Sequence, residues 1–139
     1  MTADLADVPT TWTPNVPLRI AADRRQAQLE IDALVALMLG VTADELCTIY
    51  RTQFPVLYGY DRNRDHYDAN GRWCRTAFLA LWRKKGDAIS LDGCTATNQA
   101  GNTYVYELPF VTLDREHDMR VAYVEFERRL AEPGAGAGA

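Results

Sequence analysis

The sequence predicts an α+β fold, on three observations. Helix-start signals stand at Asp23 and Thr42, ahead of apolar residues at helical spacing. Tyr104, Tyr106, Leu108 and Phe110 alternate at period two, as a strand requires. A second amphipathic run follows Asp114. Together they order the chain as an N-terminal helical hairpin, a central basic loop or hairpin region with a candidate helix, a small antiparallel β-hairpin and a C-terminal amphipathic helix.

The elements follow in turn. Asp23 with Gln26 marks a helix start, and Ile31, Leu34, Val35, Met38 and Leu39 supply its apolar set before Gly40 offers a left-handed stop. Thr42-Ala43-Asp44-Glu45 is a capping box that opens a helix with the face Leu46, Ile49 and Tyr50, ending near Phe54-Pro55. Asp68-Ala69-Asn70-Gly71, flanked by Tyr58, Tyr60, Tyr67 and Trp73, is a turn signal for a hairpin or ordered loop. Ala77, Phe78, Leu81 and Trp82 recur at three and four residues, so Arg75 to Lys85 is a candidate helix stopped by Gly86. The strand over Thr103 to Phe110 pairs with the 88–96 region, with Pro109 at an edge. Asp114 caps the last helix, which buries Met119, Ala122, Tyr123, Phe126 and Leu130 and carries Arg128 and Arg129 near its C-terminal dipole.

At 139 residues, 47% hydrophobic and 24% charged, the chain is sized for one globular domain. Residues 1–22, with Pro9, Pro14 and Pro17, are expected as an extended arm, 23–132 as the globular domain and 133–139 as a Gly/Ala tail. Cys47, Cys74 and Cys94 form no CxxC pair, which argues for reduced thiols and a cytoplasmic setting over a disulfide framework. The N-terminus carries acid where a signal peptide needs base, and the longest apolar run, Ala33 to Leu39, is far short of the ~20 residues that span a bilayer. No membrane partner is expected.

The nine glycines form neither a GxGxxG nor a P-loop, and no GxSxG or HExxH is present. No cofactor, metal site or catalytic residue is assigned. His66 and His117 have acids beside them and read as a solvated loop histidine and a helix-face histidine. An independent enzyme would need a pocket bringing carboxylates to His66.

Charge, however, is segregated. The net charge of −4 divides into +4 over residues 61–85 and −8 over the rest. The bases are Arg62, Arg64, Arg72, Arg75, Arg83, Lys84 and Lys85, interleaved with Tyr60, Tyr67 and Trp73. Guanidinium groups pair with phosphate or guanine edges and flat rings accept a splayed base, so these ten residues are the candidate DNA-binding set. The same pattern also describes a solvated basic surface or one that docks on an acidic partner.

The run from Arg25 to Gly40, continuing through Val41-Thr42-Ala43-Asp44-Glu45-Leu46 to Phe54-Pro55-Val56, resembles the C-terminal portion of bacterial adenine-N6 DNA methyltransferases. The likeness is to type IIG restriction–modification enzymes and to the methylases of phage growth limitation, BREX and DISARM defence systems. Tyr58-Gly59-Tyr60-Asp61, Tyr67 to Arg72, Leu113 to Met119 and Phe126 to Leu130 look like actinobacterial members of that group. Those enzymes bind S-adenosylmethionine through a glycine-containing strand-turn and hold a flipped adenine at an Asn/Asp-Pro-Pro-Tyr/Phe motif. This chain carries neither motif, so the resemblance implies a non-catalytic accessory or DNA-recognition module, a split or truncated methylase C-terminus, with DNA and a catalytic methylase subunit as partners. The alternative is a protein-interaction domain that docks on the methylase subunit without touching DNA.

Overall fold

The structure is a computed structural model that describes residues 10–90 and 92–134. It is mixed helix and sheet, as expected: five α-helices and a two-stranded antiparallel hairpin. The expected arm falls outside the described residues over 1–9, and the tail does over 135–139.

Helix α1 spans Ala21–Met38 and starts before Asp23, which lies in its first turn where its charge favours the helix dipole. Ile20 occupies the cap position without a side-chain acceptor. A tertiary contact does related work, because the Ala22 N–H donates to the Gly71 carbonyl at 3.0 Å. Gly40 takes φ +74° beyond the helix end, as its sequence position implies. Helix α2, Ala43–Gln53, opens with the expected capping box: Thr42 Oγ1 accepts from the Glu45 N–H and Glu45 Oε2 accepts from the Thr42 N–H. Pro55 ends α2 and, lacking an N–H, starts the one-turn α3, Pro55–Gly59, which runs on into a π-turn over Tyr60–Arg64.

Helix α5, Arg115–Ala131, is capped by Asp114, whose Oδ1 accepts from the His117 N–H at 3.1 Å. It packs along α1 in a first core of Leu29, Ala33, Cys47, Tyr50, Met119 and Ala122. The α1 face differs from the expected one. Leu29, Ala33 and Ala36 are buried with Arg25, whereas Ile31, Val35, Met38 and Leu39 are exposed and Leu34 is half-buried. The two stripes are offset by two residues, about 200° around a helix. Leu29 and Ala33 face α5 in this core, and Arg25 joins them by pairing with Asp118 at 2.8 Å. On α2, Cys47 is buried while Ile49 is exposed, and on α5 Leu130 is exposed.

The second core is aromatic. Helix α4, Thr76–Lys85, ends at Gly86 with φ +60°, and short 3₁₀ turns at Gly86–Ala88 and Asp92–Cys94 lead to β1, Thr95–Thr97. Strand β2, Thr103–Val105, pairs antiparallel with β1 in the register Thr95↔Val105. The expected strand to Phe110 stops here because the backbone changes partners: the Glu107 carbonyl accepts from the Ala69 N–H and the Glu107 N–H donates to Asp68 Oδ2. Tyr106 and Phe110 still face inward with Cys74, Leu79, Cys94 and Ala96. Tyr104, Tyr106, Phe110 and Trp82 meet edge to face in succession, with centroids 5.4 to 5.6 Å apart, the geometry aromatic quadrupoles prefer. The Leu108-Pro109 peptide is cis.

Tyr67 joins the two cores through its backbone, exchanging hydrogen bonds with Val111 at 2.8 and 2.9 Å and bridging to Trp73. All three cysteines are buried free thiols. Among the described residues, no helix is long and apolar enough to cross a membrane.

Candidate nucleic-acid interface

Acids of the central segment set the character of its surface, because two of the three turn inward. Asp61, 6% exposed, is held by the buried Arg115, whose Nε lies 2.6 Å from Asp61 Oδ2, and by the Tyr50 hydroxyl at 2.8 Å. Burial works against the Arg115 charge and Asp61 restores it, with the net effect of raising the guanidinium above its ordinary range. Burial first, and then the hydrogen bond to Asp61, raises Tyr50. Asp68, 3% exposed, accepts from the Asn70, Arg72 and Glu107 backbone N–H groups, so its charge organises the turn. Gly71 closes that turn at φ +79°, and a Cβ there would stand 2.9 Å from an Ile20 methyl.

With those carboxylates withdrawn, Arg62, Arg64, Arg72, Arg75, Arg83, Lys84 and Lys85 are all exposed. Tyr60 and Trp73 stand about two-fifths exposed beside them. The remaining acid, Asp65, pairs with Arg64 at 2.8 Å and accepts from Trp73 Nε1 at 3.0 Å. That bidentate pair raises the Arg64 guanidinium. The Arg64 guanidinium also covers the Tyr60 ring, 3.4 Å from its centroid, and Arg62 lies over Tyr58 at 5.1 Å. Arg83 reaches from α4 to the Asn63 carbonyl at 3.4 Å, so the end of α4 and the π-turn share one face.

Arg72 and Arg75 form a second group against the hairpin, donating to the Val105 and Thr97 carbonyls at 3.4 and 3.5 Å. Tyr67 belongs to neither group. It is buried, its pKa is raised chiefly by that burial, and it has no face to offer a base.

Two neighbours of this surface escaped sequence reasoning. Arg19 and Tyr104 line a cleft of about 320 Å³ with Ile20, Ala21, Arg72 and Trp73. Tyr104 belonged to a stripe read as core, and Arg19 to an arm read as irregular, so neither carried a surface signal.

Elsewhere, an apolar groove of about 420 Å³ runs between α1, α2 and α3, lined by Val35, Leu39, Leu46, Ile49, Phe54 and Leu57 with Asp32 and Arg115 among its polar residues. The exposed stripe of α1 thus supplies part of its wall. His66 is half-buried with Nδ1 3.3 Å from the Arg64 carbonyl oxygen. No group of three or more His, Cys, Asp or Glu able to hold a metal occurs among the described residues. The Cys74 thiol is pushed up to about 11 by burial and by Asp68, which keeps it protonated and unreactive. Comparison with known proteins finds no matching family profile, curated protein or solved structure.

Proposed function

We propose that this chain is a non-catalytic accessory module of a DNA-modification or phage-defence methyltransferase system, contacting DNA through its central basic face. The resemblance of Arg25 to Val56 supports the system. The DNA contact rests on one observation: Asp61 and Asp68 are buried, while the seven cations of residues 62–85 are exposed and the rings of Tyr60 and Trp73 partly so. Phosphate contacts then dominate binding, and affinity falls by about one log unit per log of salt for each phosphate neutralised. Fluorescence anisotropy with a labelled duplex tests this. Binding is expected at ~50 mM salt and is lost when Arg62, Arg64, Arg72 and Arg75 are changed together to Ala. DNA left unbound in both duplex and single-stranded form, or affinity indifferent to those changes, removes the reading.

The apolar groove favours a second reading, docking on the methylase subunit. Its exposed Val35, Leu39, Phe54 and Leu57 suit the apolar face of a partner helix. Asp32 in the lining, within a remainder of charge −8, matches a helix with basic flanks. Co-purification with the methylase that is abolished by Leu39→Asp and Phe54→Asp, but unaffected by the arginine changes, selects docking. Co-purification indifferent to the Asp substitutions rejects it.

A further inference from the structure

We infer that the cleft between the start of α1 and the β2 strand binds an unpaired nucleotide, so that this surface prefers single-stranded over duplex DNA. The inference rests on the nucleic-acid reading above and names the form of DNA that the surface takes. Its lining carries two cations, Arg19 and Arg72, two rings, Trp73 and Tyr104, and no carboxylate. That absence distinguishes it from a polar pocket of about 250 Å³, where Asp61, Asp114 and Glu116 stand against Arg62 and Arg115 and would repel a phosphate. At about 320 Å³ the cleft is at the small end of ligand pockets, a size suited to one nucleotide.

The chemistry follows from which faces are open. Arg72 lies over the Tyr104 ring, 4.9 Å from its centroid, which fixes its guanidinium as one flat wall. Trp73 is anchored through Nε1 to Asp65 and keeps 39% of its surface exposed. A base inside a duplex has both faces covered by its neighbours and cannot stack on either. An unpaired base offers its π-face to Trp73 or to the Arg72 plane without regard to sequence, and Arg19, which lines the cleft and donates through Nη2 to the Pro14 carbonyl, offers its other N–H groups to the adjoining phosphate. The turn that presents Arg72 and Trp73 is fastened to α1 through the Ala22–Gly71 hydrogen bond and the close approach of Gly71 to Ile20, so the cleft walls are held in place.

Anisotropy titrations of the whole chain with a labelled oligo-dT strand and a hairpin duplex of equal phosphate count test the inference. The strand is expected to bind about tenfold tighter, a ratio set by one stacked base. Trp73→Ala is expected to bring the ratio near one, Trp73→Phe to keep most of it, and the exposed Arg19→Ala to lower strand affinity about threefold. A strand carrying 5-iodouracil should photocrosslink to Trp73 or Tyr104. A wild-type ratio near one, a preference that survives Trp73→Ala, or crosslinks confined to other residues overturns the cleft while duplex binding leaves the broader reading standing. Failure to bind either oligonucleotide overturns both.

Discussion

The two cores solve the same problem with different chemistry. Between α1 and α5 the core mixes Leu29, Ala33, Cys47, Met119 and Ala122 with the Tyr50 ring, and ion pairs complete it: Arg115–Asp61 on one side and Arg25–Asp118 on the other. Around β1 and β2 the core is built from rings meeting edge to face, with Tyr106 at its centre. In the first, stability depends on charges being matched; in the second, on volume being filled. The difference also explains the surface, since the ion pair that completes the helical core removes Asp61 from the basic face.

Substitutions that separate charge from volume should break this comparison cleanly. Arg115→Met leaves Asp61 buried without its cation and is expected to cost about 3–5 kcal/mol in urea denaturation. Arg25→Met should cost far less, within about 1 kcal/mol, because Asp118 is partly exposed and Nε and Nη2 of Arg25 are buried without partners. Phe110→Ala empties the ring cluster, for a loss of about 3 kcal/mol. Tyr106→Phe removes only the hydroxyl that donates to the Trp73 carbonyl and costs about 1 kcal/mol.

High pH discriminates in another way. Cys74 ionises near 9.0 when unfolded and near 11 when folded, so its share of stability is full below pH 9 and is lost as pH rises through that interval. Denaturation midpoints measured across that range should fall, and fall less in Cys74→Ala. The smallest effect belongs to the outer stripe of α1. Val35→Thr and Met38→Gln, at 47% and 74% exposure, should stay within about 0.5 kcal/mol of the parent protein, whereas Leu29→Ala should cost about 3.

That contrast marks where sequence reasoning reached and where it stopped. Thr42 with Glu45, Asp114 with His117, and Gly40, Gly71 and Gly86 at positive φ are local devices, complete within a few residues, and all were legible. The period-two stripe identified Tyr106 and Phe110 as buried for the same reason. The face of α1 was not legible, because it depends on α5, more than 75 residues away: Leu29 and Ala33 pack with Met119 and Ala122 of that helix while Val35, Ala36 and Leu39 border a groove. Nor could charge counting distinguish Asp61 from Asp65, since Asp61's partner, Arg115, lies 54 residues distant. Of the ten residues singled out, the seven cations stand at the surface, whereas Tyr67 is buried by its backbone pairing with Val111, a partner 44 residues away.

The α1–α5 packing also orders events in time. Residues 39–114 lie between these helices, so their contact closes a loop of more than half the chain, whereas the aromatic core draws only on residues 74–110. Short-range closure is the faster process. The ring cluster therefore has the means to assemble first and to hold Tyr67 and Val111 in register, leaving the helical pair to close over a platform already built.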